Sequence, residues 1–389
     1  MQGHIGILKK MTSEVYEKLA LYLDTLPAGY PSTESGVEIR ILKRLFTPEE
    51  AELATHLTLI AEEARIIAYR AGIPEEKVAK LLEDMDNKGL IFSILHNGES
   101  MRYCIQQFLV GFWEGQVNKL TPELVVDFEE YLDTFVDLDL WQKMPQLRTI
   151  PVGKSIDLKT DVMPYERAEE LIRQQKTLAV NNCICRQEKR ILGQGCDKPE
   201  ESCMSFGVAA ERSIRQNRGR SISHDEALAI LHHAEKVGLV LQTSNAKKSL
   251  FICTCCGCCC GALRSIKQDD NPASRVSSPF FVSFNSLTCT GCGNCIGRCQ
   301  MGAIHLDNFK AVHDPARCIG CGLCVSTCPT DSFSLQRKTK KEQPYVPGTL
   351  LETYVKLGRM RGTTSISGLI SMKIRSTIDR MKTSKLKLN

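Results

Sequence analysis

The sequence predicts an α+β protein: a mainly helical front part, a cysteine-rich middle, a short segment carrying a twofold cysteine repeat, and a helical basic tail. Three observations lead there. Apolar residues between 74 and 88 and again between 366 and 381 recur at steps of three and four, the helical period. Of 19 cysteines in 389 residues, all but Cys104 fall between 183 and 328. From Arg337 onward 13 Lys and Arg face three acids, which leaves the preceding body at net −5 within a total of +5. These changes of character divide the chain into 1–44 (helical), 45–150, 151–282 (cysteine-rich), 283–336 (the repeat) and 337–389 (basic linker and tail).

Residues 45–108 read as a winged-helix-like unit. FTPEEAELATHL has Thr47 as N-cap, Pro48 at the first helical position and acids in the first turn. EEARIIAYRAG stops at Gly72, and a third helix over 74–88 carries Val78, Leu81, Leu82 and Met85. IFSILHNGESMRYCI then reads as a hairpin around Asn97-Gly98. Such a unit raises a DNA-binding regulator as one reading, but the third helix sets Lys77, Lys80 and Lys88 against Glu75, Glu76, Glu83, Asp84 and Asp86. Duplex binding rests on neutralising phosphates, so the unit reads as a protein-docking or packing module that does not bind nucleic acid. One amphipathic helix is expected over 108–135, with Phe112, Trp113 and Phe128 as core rather than a cofactor pocket. Another, over 223–240, closes at Gly238 and places His232 and His233 on a solvated face. Phosphate-binding glycine loops and dinucleotide fingerprints are missing, which speaks against a nucleotide or flavin site.

The opening residues lack an export-signal pattern, and no stretch approaches the roughly 18 uncharged apolar residues of a membrane span. Disulfide frameworks belong to short secreted chains. The thiols therefore point to metal clusters in a reducing, cytoplasmic setting.

Residues 289–299, CTGCGNCIGRC, and 318–329, CIGCGLCVSTCP, both follow C-x₂-C-x₂-C-x₃-C at an offset of 29 residues. That is the spacing of bacterial cubane sites, whereas zinc favours two separated C-x₂-C knuckles. Three successive thiolates wrap one face of a cubane. Gly291, Gly293, Gly320 and Gly322 permit the positive-φ turns this needs. The fourth cysteine is expected to start a following helix and to serve the other cluster. Cys289, Cys292, Cys295 and Cys328 would thus hold one [4Fe-4S] cluster, and Cys318, Cys321, Cys324 and Cys299 a second. Residues 283–336 resemble a two-cluster bacterial-type ferredoxin, which implies single-electron transfer. Gln300 departs from that family, which usually has Pro after the fourth cysteine.

Two further sets remain: Cys183, Cys185, Cys196 and Cys203, and the run CTCCGCCC with Cys253, Cys255, Cys256, Cys258, Cys259 and Cys260. Six thiolates in eight residues repel one another unless metallated, protonated or buried. Consecutive residues of an extended segment face opposite ways, so part of the run should join Cys183 and Cys185 across the fold. At least one further iron–sulfur cluster is expected there, with zinc and metal-free buried thiols as the competing readings. Cys104 reads as an ordinary core residue. The layout resembles larger cysteine-rich iron–sulfur proteins of anaerobic microbes, a resemblance that implies an electron carrier and no specific reaction.

In the tail, Ile366, Leu369, Ile370, Ile374, Ile378 and Met381 share one helical face among Lys and Arg. It should dock on a partner or on the protein's own body, with peripheral contact to an anionic membrane as the second option. The sequence thus reads as a multi-cluster electron-transfer protein serving a larger oxidoreductase complex. The alternatives are a reductase with an open iron site among the dense cysteines and an iron–sulfur redox-sensing regulator.

Overall fold

A computed structural model describes residues 14–96, 98, 100–156 and 161–386. The opening segment, on which the export reading rested, and Asn97 of the expected hairpin turn lie outside the described residues. The chain divides into two units, one formed by residues 1–135 and 354–389, the other by 136–353.

The first unit is mainly helical. Its elements are α1 (14–24), α2 (Val37–Leu45), α3 (Pro48–Ala54), α4 (Ala64–Ala71), α5 (Glu75–Lys88), strands β1 (Ile91–His96) and β2 (Ser100–Ile105), and α6 (Pro122–Phe135). Thr47 caps α3 in a capping box, its hydroxyl accepting from Glu50 N–H while the Glu50 carboxylate accepts from Thr47 N–H. Val78, Leu82 and Met85 bury one face of α5, and β1 pairs antiparallel with β2 from Ile91–Ile105 to His96–Ser100. Cys104 lies on β2, half-buried and opposite Phe92.

The single helix expected over 108–135 is corrected: helix begins only at Pro122, after a non-helical stretch at Leu109, Val110 and Gly111. The cause is local. Gly115 comes so near Gly89 that a Cβ would stand 2.2 Å from the Gly89 carbonyl, and Asn118 takes a positive φ, so the chain turns sharply instead of coiling. The aromatic residues do form core, Trp113 stacking on Phe128 at 3.8 Å and 5°.

The helix Ile366–Leu386 belongs to this unit and turns its polar face inward. Ser376, Asp379 and Thr383 are buried, and Asp379 meets Arg70, which also grips fully buried Glu62 at 2.7 Å. Ile366, Ile370, Ile374, Ile378 and Met381 are exposed along the opposite side. Among the described residues no helix is long and apolar enough to cross a membrane.

The second unit supplies α7 (Leu138–Lys143), β3 (Leu147–Ile150), α8 (Ala168–Arg173), β4 (Leu178–Asn182), α9 (Ile184–Ile191), β5 (Glu201–Phe206), α10 (Val208–Arg215), β6 (Gly219–Ser221) and α11 (His224–Lys236). It continues with β7 (Val240–Ser244), β8 (Phe251–Cys255), α12 (Gly261–Lys267), β9 (Phe280–Phe284), α13 (Asn294–Arg298), β10 (Ile304–Asp307), β11 (Lys310–His313) and β12 (Phe333–Arg337). Six of these strands form one antiparallel sheet, ordered β3-β7-β8-β5-β4-β6, while β9–β12 and β10–β11 make separate pairs. The mixture of helices and strands is of the α+β kind. Ser223 caps α11, as its position before His224 suggests, and His232 is solvent-exposed beside Glu169. The core under the sheet joins Val180, Met204, Phe206, Leu241 and Ile252 to Cys255, Cys256, Cys259 and Cys260, and to Met301, Ile319 and Leu323 of the cysteine repeat.

Candidate metal centres

All 19 cysteines are free thiols. Eighteen of them lie in the second unit, where strand alternation and tight turns sort them into four groups.

The dense run splits at the end of β8. Cys253 and Cys255, two residues apart on a strand, share a face, and Cys256 is the first residue past the strand. Cys253, Cys255 and Cys260 meet Cys183, Cys185 and Cys203. Thiol hydrogen bonds run in a closed ring through Cys183, Cys185, Cys260, Cys255, Cys253 and Cys203 and back to Cys183. Hydrogen bonds from neighbouring thiols pull Cys183 and Cys260 well below the usual thiol range and Cys253 down to about 6. The same bonds push their donors Cys185, Cys203 and Cys255 upward. Six soft donors converging on one buried spot suit iron–sulfur or other thiophilic metal chemistry.

The remaining thiols of the run face Cys196. The sulfurs of Cys196, Cys256, Cys258 and Cys259 all lie within 4.8 Å of one another. Neighbour distances are 3.9 Å for Cys196–Cys256, 3.6 Å for Cys259–Cys196 and 3.8 Å for Cys258–Cys259. Burial raises Cys256 to about 11, while Cys258 is exposed to solvent.

Arg186 lies between the two groups and is 2% exposed. Its guanidinium donates to the carbonyls of Pro199 and Thr254 at 2.8 and 2.6 Å and to the Ser202 hydroxyl at 2.8 Å. Burial alone would depress its pKa. Cys183, Cys256, Cys203 and Cys255 outweigh that effect and raise it, so the guanidinium stays charged and offsets thiolate charge from both groups. Arg186 escaped sequence reasoning. The only hint was its place in CICR, directly after two candidate ligands.

The cysteine repeat holds the other two groups. Cys292 and Cys289 lie near Cys295 and Cys328, all four close enough to interact electrostatically at Cys295. Cys299, Cys318, Cys321 and Cys324 line a single cavity together with Ile304 and Leu323. Burial lifts Cys321 to about 12. Backbone N–H groups of Gly291, Ala303 and Ser332 point at the sulfurs of Cys289, Cys299 and Cys328 at 3.4, 3.2 and 3.3 Å, a pattern that stabilises thiolate charge. Gly291, Gly293, Gly320 and Gly322 take φ between 69 and 78°, the left-handed region their spacing demanded. At Gly291 a side chain is doubly excluded, because a Cβ would stand 1.9 Å from the Phe309 carbonyl.

One expectation is corrected here. The fourth cysteine of each repeat closes a short helical turn instead of opening a helix: Cys299 follows α13 and Cys328 follows the turn Val325–Thr327. Extended φ/ψ at both cysteines and the left-handed Gly302 send the first repeat directly into β10.

Residues 288–332 match the family described as a 4Fe-4S dicluster domain. This part of the chain is an iron–sulfur segment. The match spans the full cysteine repeat and both candidate ligand sets within it, so [4Fe-4S] clusters are the cofactors this segment is built to hold. Held by the thiolates of each set, they would supply reversible one-electron chemistry. No curated protein and no solved structure matches the chain.

The dicluster segment is fastened to the cysteine-dense turn. Gln300 Oε1 accepts from Gly257 N–H at 2.8 Å, and its Nε2 donates to the Gly238 carbonyl at 2.8 Å. Gly257 has no room for a side chain, since a Cβ would lie 2.2 Å from the Gln300 carbonyl. Arg298 donates to the carbonyls of Lys236 and Glu235, at 2.5 and 2.7 Å.

Proposed function

We propose that the chain relays single electrons through at least three iron–sulfur clusters, as a subunit or redox partner of a larger anaerobic oxidoreductase. The dicluster segment would carry one cluster on Cys289, Cys292, Cys295 and Cys328, and another on Cys318, Cys321, Cys324 and Cys299. A third would draw its ligands from Cys183, Cys185, Cys203, Cys253, Cys255 and Cys260, a set larger than one cubane needs. The observation that carries the reading is the Gln300–Gly257 contact. Cys299 and Cys321 pack against the same core as Cys253 and Cys255, so the clusters would form a continuous chain.

The outer end of that chain suits a protein partner. Cys292 is exposed, and around it Leu287 and Phe309 are about nine-tenths exposed, with Leu306 and Ile296 partly so. An apolar rim at a redox centre suits a transient docking site, where burial of a few anchors sets affinity. Electrons would pass between the partner and the Cys289 cluster, then through the Cys318 cluster toward the six-thiol site. The exposed isoleucines of helix Ile366–Leu386, flanked by Lys373, Arg375 and Lys382, would hold a second, permanent subunit with an acidic border.

The test is a reductive titration of the anaerobically purified chain. A relay of three clusters takes up three electrons in EPR-resolved steps, and Cys253→Ser removes one step. Uptake of two electrons, unchanged by Cys253→Ser, would overturn the third cluster.

A further inference from the structure

We infer that Cys196, Cys256, Cys258 and Cys259 hold one zinc ion as a mononuclear tetrahedral site, separate from the iron–sulfur relay. The inference rests on sulfur spacing and stands independently of the electron-transfer reading. Four sulfurs at zinc–sulfur distances of 2.3 Å form a tetrahedron with edges of about 3.8 Å. Three edges of this group measure 3.6, 3.8 and 3.9 Å, and every pair lies within 4.8 Å. A cubane cannot accept its four ligands at this spacing. Its thiolates bind the outer corners of an Fe₄S₄ core, which holds them well farther apart than the ligands of one ion. Among the described residues no other group of three or more His, Cys, Asp or Glu ligands meets this limit, the two ferredoxin-type sets included.

The surroundings suit a closed structural site. Cys256 and Cys259 are buried, Cys196 is half-buried and Cys258 caps the outside. Cys196 comes from a segment without regular structure between α9 and β5, whereas the other three come from the turn after β8. An ion here would pin that segment to the sheet. Tetrahedral S₄ sites select zinc or iron, and zinc adds no redox step to compete with the relay.

The experiment is elemental analysis of the full chain produced with both metals supplied, with zinc-edge X-ray absorption on the same sample. One zinc per chain with four sulfur neighbours near 2.3 Å is expected. Cys258→Ser, which alters the exposed ligand, should lower zinc occupancy while leaving iron content unchanged. Sub-stoichiometric zinc in the wild-type chain, zinc with nitrogen or oxygen neighbours, or loss of iron from Cys258→Ser would overturn the assignment. The absorption measurement needs no variant, so a misfolded substitution does not spoil the test. Its failure would leave the EPR-resolved relay intact, and failure of the relay would leave the zinc edge unchanged.

Discussion

The side chain of Gln300 bridges Gly257 and Gly238, joining the residue after Cys299 to the turn that carries Cys256, Cys258 and Cys259. Proline, usual at this place in two-cluster ferredoxins, could make neither bond. Gln300→Pro should therefore keep both ferredoxin-type clusters while losing two hydrogen bonds worth about 1–3 kcal/mol together. The check is thermal unfolding alongside iron analysis. A lowered midpoint with unchanged iron is expected, and an unchanged midpoint would show the contact to be incidental.

Iron stoichiometry separates the cluster assignments. Two cubanes account for about 8 iron atoms and a third raises the count to about 12 or more. Cys253→Ser should remove the excess, and Cys295→Ser should instead take iron from the dicluster segment. Iron and sulfide determination on both variants reads this directly.

Arg186 is the cation that the two dense thiol groups share. Replacing it by Met keeps most of the volume but leaves buried thiolate charge uncompensated, a loss of about 3–5 kcal/mol in comparable buried pairs. Arg186→Met should lower the unfolding midpoint and deplete iron from the six-thiol site. The dicluster EPR signals should persist.

Docking at the dicluster mouth predicts a kinetic effect without a cofactor effect. Phe309→Asp puts charge into the apolar rim at a left-handed position that Asp tolerates. Loss of one anchor worth about 1.4 kcal/mol slows exchange with the physiological partner roughly tenfold. Stopped-flow oxidation measures it. Iron content and EPR line shape should match the wild type.

The exposed face of helix Ile366–Leu386 makes a separate prediction. Paired Ile370→Asp and Ile374→Asp substitutions leave the buried Ser376, Asp379 and Thr383 contacts in place. Co-purifying subunits should be lost while the chain remains folded by circular dichroism. Partition to anionic vesicles that falls in the same variant would point to a lipid surface instead.

Local signals in the sequence were read well where chemistry is local. The N-cap at Thr47, the stop at Gly72, the hairpin of β1 and β2, and the four positive-φ glycines of the repeat all depend on a few adjacent residues. The helix over 108–135 was misread because its apolar period continued through Gly111 and Gly115, whose close backbone approach to Gly89 is a long-range event. The six-stranded sheet was not legible. Its strands are three to six residues long and pair across 9 to 97 positions. In the site, spacing identified the cysteines but not their partition, which depends on how β8 ends. Arg186 looked like any surface arginine until the fold buried it.

The turn after β8 also bears on how the protein matures. Residues 253–260 contribute three thiols to each of two neighbouring groups, so the polypeptide cannot be arranged for one group while remaining unarranged for the other. Whichever centre is loaded first fixes the shared backbone, and the second then meets ligands whose conformational freedom is already lost. Filling of either centre should accordingly speed loading of the other without being required for it.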